Sequence, residues 1–179
     1  RDVDRDHCRP LPVVEVGEGV PVGDGVGRYA RRDAPLEVRR LAAGGALPLP
    51  PVELVTVLFV LAHDADAAVK DRARTSLAKL PESVLGAALS GATHPAVLSW
   101  CADAFGDQPE RLERIALNPQ TDDATIARLA AAPHKRIVDI VSNNQERMLR
   151  CPDIDEALST NPLTGRSVID RILSYLSLE

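Results

Sequence analysis

The residue pair best suited to chemistry in this sequence is the adjacent His63-Asp64. Imidazole nitrogens and carboxylate oxygens are common metal ligands, but a metal site needs further ligands that converge from other elements. His94 and His134 are the remaining histidines in the region with helical patterns, and each lies beside a proline at a turn, where histidine often caps a helix or faces solvent. The sequence therefore offers a dyad without a clear third ligand.

An adjacent His-Asp pair on helices resembles the metal site of the HD phosphohydrolases, in which both residues bind metal. The resemblance implies a metal-dependent phosphohydrolase around His63-Asp64, which we keep as an alternative function. Asp64 also has a simpler role, because a carboxylate just before a helix caps its first turn and suits its dipole. We therefore assign no catalytic residue, no metal ligand and no cofactor.

A second candidate is the pair Arg147 and Arg150, which lie three residues apart beside Asn143 and Asn144. Guanidinium groups at this spacing can hold a phosphate or a carboxylate, although a solvated polar helix face is the simpler interpretation. The glycine-rich segment 22–27 lacks the lysine and the helix start of a phosphate-binding loop, so it does not predict a nucleotide site.

The composition indicates a helical protein without a basic surface. Hydrophobic residues make up 45% of the 179 residues and aromatic residues only 3%, so the core must be built from Leu, Ile, Val and Ala, which suits close-packed helices. The net charge of −5 argues against nucleic acid as a partner, and binding of nucleic acid or nucleotide on an inner face is kept as an alternative. No apolar run is long enough to span a membrane.

The cysteines predict neither a metal site nor a disulfide framework. Cys8, Cys101 and Cys151 lie far apart and have no metal-binding spacing. Helical patterns surround Cys101 and Cys151, so we expect both to be small buried residues. This usage favours a reducing compartment, and we predict a cytoplasmic protein.

The elements that must position these residues are organised by a phrase that occurs twice. Asn-Pro-x-Thr begins at Asn118 and again at Asn161, 43 residues later, and both copies are followed by an Ile-x-Arg-Leu/Ile pattern. Asn before Pro is disfavoured in helical conformation, so each copy predicts the end of one helix. Thr121 and Thr164 are then placed to cap the next helix.

Two family resemblances follow from such patterns. Asp64-Ala65-Asp66 followed by Val69, Lys70, Ala73 and Leu77 resembles the second helix of a HEAT repeat, with Lys70 at the usual arginine position. The Asn-Pro-x-Thr units resemble leucine-rich repeat variant units, with 143–145 as a degenerate turn. Together they imply a helical repeat over about residues 50–175. Variant-repeat proteins can carry an iron–sulfur cluster on a cysteine-rich segment, which this chain lacks, so no cofactor is carried over.

The N-terminal region differs from the rest. Residues 1–33 are rich in Val and Gly and predict an extended or flexible arm, whereas 34–179 predict a helical-repeat domain. Proline or glycine marks nearly every predicted helix boundary. The first helix is expected to start at Leu36 and to end at Gly44-Gly45, and another is expected around Val69–Leu77. The remaining helices are expected at about 52–63, 81–90, 95–105, 109–117, 122–132, 135–143, 146–150, 154–159 and 165–178.

These observations predict an all-α protein, a right-handed α-solenoid with a non-helical N-terminal arm. Its expected role is that of a non-enzymatic scaffold or adaptor, which binds a protein or peptide on one face of the helical array. A homo-oligomer through the C-terminal helix or the arm is a further expectation. The residues predicted to contact a partner are Trp100, Arg147, Arg150, Ile172, Tyr175 and Leu176.

Overall fold

The structure is a computed structural model that describes residues 23–176, including the side chains of residues 23–174. All regular secondary structure in this part of the chain is helical, as the sequence predicts. The twelve helices are α1 (Asp24–Ala30), α2 (Leu36–Ala42), α3 (Pro51–Leu61), α4 (Ala67–Ala78), α5 (Glu82–Ser90), α6 (Pro95–Ala104), α7 (Pro109–Leu117), α8 (Asp123–Ala130), α9 (Lys135–Ser142), α10 (Gln145–Arg150), α11 (Pro152–Thr160) and α12 (Arg166–Leu176). Within the described residues, no helix is both long and apolar enough to cross a membrane.

The chain divides into two compact units. The N-terminal unit ends at Trp100, and the described part of the C-terminal unit begins at Cys101. This division lies inside α6. Sequence analysis places no boundary there, because neither proline nor glycine interrupts the helix.

The N-terminal unit is built around α3. Pro51 occupies the first turn of this helix, where its missing N–H costs nothing. The helix packs against α1, α2, α4 and α5. Its buried residues are Leu54, Val55, Thr56, Val57, Leu58, Phe59 and Leu61. A helix that is apolar on nearly every side is buried on nearly every side, which makes α3 the centre of the N-terminal unit.

Helix α4 follows the local signals that suggested a HEAT-like unit. Asp66 is its N-cap and accepts a hydrogen bond of 3.0 Å from the backbone N–H of Val69. The side chains of Val69, Ala73 and Leu77 are all buried on one face. The capped start and the four-residue apolar spacing of this helix are therefore confirmed, but the cap is Asp66 and the interpretation of Asp64 as the cap is wrong.

The expectation of a non-helical arm is wrong over α1. Val26 and Ala30 are buried, and the helix packs against α2 and α3. A Cβ at Gly25 would lie 2.7 Å from a carboxylate oxygen of Glu53, which is the far end of a flexible side chain and can move aside. The burial of one apolar face offsets the low helix propensity of glycine, a tertiary effect that local composition does not reveal. Residues 1–22 of the predicted arm lie outside the described residues.

The glycine stop signal after α2 is confirmed. Gly45 has a φ of +75°, in the left-handed region that suits glycine. Two residues before Gly45, the backbone carbonyl of Ala43 accepts a hydrogen bond of 2.7 Å from the hydroxyl of Ser76 on α4. The end of α2 is therefore fixed both by its own backbone and by a contact with the next helix but one.

In the C-terminal unit, α8 packs against α7, α9 and α11, while α11 also contacts α10 and α12. The two Asn-Pro turns have matching geometry. Asn118 ends α7 at φ −74° and ψ 123°, and Asn161 ends α11 at φ −83° and ψ 118°. The side-chain oxygen of each asparagine accepts the backbone N–H two residues later, at 2.9 Å and 3.0 Å. The predicted helix stops are confirmed.

The predicted capping role of Thr121 is wrong. Asp122 caps α8 by accepting the N–H of Thr125 at 2.6 Å. The hydroxyl of Thr121 instead donates back to the carbonyl of Ile115 at 2.6 Å. The threonine is one residue too early to reach the first turn of α8, so it closes the turn onto the preceding helix. The hydroxyl oxygen of Thr164, in the second turn, is buried without a hydrogen-bond partner among the described residues.

Candidate functional site

A groove of about 270 Å³ lies in the C-terminal unit between the end of α7 and α10. Its walls come from the last turn of α7, the Asn-Pro turn that follows, and both ends of α10. The lining residues are Ala116, Leu117, Asn118, Pro119, Asn144, Glu146, Arg147 and Arg150. This groove brings together the first Asn-Pro turn and the arginine pair that sequence analysis selected separately.

Arg147 forms the buried base of this site and is only 7% exposed. Its Nη1 donates to the carbonyl of Thr121 and to the carboxylate of Asp123, each at 2.6 Å. Its Nη2 donates to the carbonyl of Pro119 at 3.2 Å. One guanidinium therefore holds the backbone of the turn and the start of α8 in a fixed relation. The simpler interpretation of Arg147 as part of a solvated polar face does not hold.

Arg150 binds the same carboxylate from the solvent side. Its Nε lies 2.5 Å from Oδ2 of Asp123, and its Nη2 lies 2.9 Å from Oδ1. This two-point contact fixes the plane of the guanidinium, while 42% of the side chain stays exposed. Of the residues predicted to contact a partner, Arg150 is the one that the structure places at the groove surface with its charge accessible.

The electrostatics of the site keep Asp123 ionised. Burial alone would raise the pKa of this carboxyl, but hydrogen bonds and positive charge from Arg150 and Arg147 outweigh burial and hold the pKa below its usual value. The same contact raises the pKa of Arg150. The sequence analysis did not select Asp123 as a site residue. No local signal joins positions 123 and 147.

Trp100 lies in an aromatic cluster of the N-terminal unit. Its ring packs edge-on against Phe59, with 5.4 Å between centroids, and lies 5.9 Å from the ring of His63. The side chain is half-buried. Trp100 thus packs against other aromatic rings while part of its surface stays exposed, and its role as a partner contact stays a prediction.

The side chains of His63 and Asp64 contact different parts of the fold. His63 lies just after the end of α3, and its Nδ1 lies 2.8 Å from the carbonyl oxygen of Phe59 in that helix. Both carboxylate oxygens of Asp64 accept hydrogen bonds from Nη1 of Arg39, at 2.6 Å and 2.5 Å. Oδ1 of Asp64 also accepts the backbone N–H of Asp66. Among the described residues, no three His, Cys, Asp or Glu side chains are grouped so that they could hold a metal ion. The carboxylate of Asp64 therefore links α2 to the turn before α4.

Of the residues predicted on the C-terminal helix, Ile172 is the one whose side chain is described. Ile172 is 3% exposed and belongs to the core, whereas the neighbouring Leu173 is 55% exposed. The side chains of Tyr175 and Leu176 lie outside the described part of the structure.

The cysteine expectations are only partly met. Cys101 is a buried free thiol, but Cys151 is disulfide-bonded, so the prediction that it forms no disulfide is wrong. Disulfide pairing depends on distance in the fold, which sequence spacing does not reveal. Cys8 lies outside the described residues, and the cytoplasmic location stays a prediction.

No family model, curated protein or solved structure matches this chain. The groove is therefore the feature of the molecule from which a function is inferred.

Proposed function

We propose that this chain is a non-enzymatic interaction scaffold of the α-solenoid type, which binds a peptide or protein segment in the groove between α7 and α10. The observation that carries the proposal is the preorganised wall of the groove. Arg147 clamps the Asn-Pro turn from behind at 2.6–3.2 Å, so the groove need not be ordered when a ligand arrives. A surface that is rigid before binding loses less entropy on binding.

The rim of the groove offers the apolar contact that a peptide needs. Leu117 lines the groove and is 61% exposed at the end of α7. An exposed leucine beside fixed polar groups is suited to anchor an apolar side chain while the polar groups set the direction of the peptide. The repeat interpretation is supported by the matching hydrogen bonds of the turns at Asn118 and Asn161.

Selection of peptides from a random phage-displayed library on the full chain tests the proposal. Selected peptides are expected to lose about tenfold in affinity on Leu117→Gln, which removes the apolar rim, since a central contact carries about 1–2 kcal/mol. Leu41→Gln is the matched control, because Leu41 is also an exposed leucine in the last turn of a helix and belongs to the other unit. Selection that yields no binder, or binders that are indifferent to Leu117→Gln, would contradict the proposal.

A further inference from the structure

Within the described residues, two donor nitrogens in the groove make no hydrogen bond to a protein acceptor. Nη1 of Arg150 lies 3.6 Å from Oε1 of Glu146, which is too long for a hydrogen bond. The side-chain oxygen of Asn144 accepts the N–H of Arg147, and within the described residues its amide nitrogen makes no hydrogen bond. Both side chains line the groove. A ligand that supplies acceptors satisfies both.

Arg150 is prepared for such a ligand by Asp123. Because Nε and Nη2 are both held by the Asp123 carboxylate, the guanidinium cannot turn away, and Nη1 is the nitrogen left for a further partner. A planar guanidinium that is held in this way loses little side-chain entropy when it binds a second carboxylate.

Charge favours an anion over a neutral acceptor. Arg147 and Arg150 share the single carboxylate of Asp123, so these three side chains together carry one net positive charge. Glu146 supplies the nearest balancing charge, but its side chain is 87% exposed and it stands at a distance of 3.6 Å. A solvated pair of this kind contributes little stability, so an incoming carboxylate displaces Glu146 at small cost.

We infer that the groove recognises a peptide carboxylate, an acidic side chain next to an apolar one, with the carboxylate on Nη1 of Arg150 and the apolar side chain on Leu117. This inference rests on the proposed function and names the ligand class of the same groove. Glu146 occupies the carboxylate position in the free protein and competes with the ligand.

The experiment titrates ¹⁵N-labelled full chain with N-acetyl-Leu-Glu-amide and, separately, with N-acetyl-Leu-Gln-amide, and follows the backbone amides of the groove and the Nε–H signal of Arg150. We expect the Glu probe to bind about three- to fivefold more tightly than the Gln probe at low salt, in the range of a partly exposed charge pair. Arg150→Gln should abolish this preference, while Arg166→Gln, at an exposed arginine that is not part of the groove, should retain it.

Glu146→Gln is the decisive variant, because it leaves the Asp123 network intact. Removal of the competing carboxylate should tighten binding of the Glu probe about two- to threefold. Equal binding of both probes, or no gain in Glu146→Gln, would overturn the carboxylate inference and leave the peptide-binding proposal standing. The absence of groove shifts with either probe would overturn the inference and count against the proposed function as well.

Discussion

Arg147 and Asp123 form an ion pair with 2.6 Å between Nη1 and Oδ1, and both side chains are almost completely buried. The residues lie 24 positions apart, on α10 and in the first turn of α8. This pair connects the groove to the interior of the C-terminal unit, because the same guanidinium also binds the carbonyls of the Asn-Pro turn. Stability and the shape of the groove are thus coupled through one side chain.

Replacement of Arg147 by methionine should destabilise the protein by about 3 kcal/mol, because it leaves a buried carboxylate short of one partner and the carbonyls of Pro119 and Thr121 without this donor. Urea unfolding at neutral pH measures this change. Arg114→Met is the control at an exposed arginine of α7 and should change stability by less than about 0.5 kcal/mol. Equal effects of the two substitutions would show that the Arg147 contacts contribute nothing.

The lowered pKa of Asp123 predicts acid sensitivity. A carboxyl whose folded pKa lies below its ordinary value of 3.8 stabilises the fold above that value, and the contribution is lost as the pH falls through the folded pKa. The free energy of unfolding of the wild type should therefore exceed that of Asp123→Asn at neutral pH, and the difference should shrink below pH 3.8. A difference that is independent of pH would contradict this assignment.

Asp155 should behave in the opposite way. Burial raises the pKa of its carboxyl, against the charge of Arg171, and its Oδ1 is buried without a hydrogen-bond partner among the described residues. The stability that this raised pKa contributes is present below the ordinary value of 3.8 and is lost as the pH rises through the folded pKa.

Asp155→Asn should therefore raise the melting temperature at neutral pH, with a gain that disappears in acid, because a neutral amide is less costly to bury than a carboxylate. Asp153→Asn, at an exposed acid in the same first turn of α11, should give no such gain. Equal melting temperatures of the two variants at neutral pH would show that burial of the Asp155 carboxylate does not destabilise the fold.

The second Asn-Pro turn can be tested without changing its shape. The Nδ2 of Asn161 donates to the carbonyls of Ala130 and Ala132 at 2.8 Å and 3.0 Å, while its oxygen accepts the N–H of Leu163. Asn161→Asp keeps the acceptor but removes both donors and adds a charge beside two carbonyls. We expect a loss of about 2–3 kcal/mol in thermal or urea unfolding. Gln120→Glu, an equivalent charge change at an exposed position of the first turn, should be near neutral.

Cys101 predicts a loss of stability at high pH. Burial raises the pKa of this thiol to about 12 from an ordinary value of 9.0, with the charge of Arg111 opposing the change. A raised folded pKa gives stability that is complete below pH 9.0 and is lost as the pH rises towards 12. The wild type should therefore lose more stability than Cys101→Ala over this interval. A thiol reagent should also label Cys101 far more slowly in the native protein than in urea.

From α2 onward, the sequence by itself determined most of the described helix boundaries, because their causes lie within a few residues. Proline after Asn118 excludes a helical conformation, Pro51 suits a first helical turn, and the Asp66 carboxylate reaches an N–H three residues away. The apolar spacing of Val69, Ala73 and Leu77 also fixed which face of α4 is buried, since one helical period suffices to define a face.

The tertiary structure decided which helix faces pack together and which distant residues come into contact. It made Arg147 the buried partner of Asp123, gave α1 a core to fold against, placed the unit boundary inside α6 and left Cys151 disulfide-bonded. These features join residues far apart in the chain or rest on the burial of whole helices, so no local propensity encodes them. The groove belongs to this second class, because its walls come from α7 and α10, and their approach is set by long-range packing.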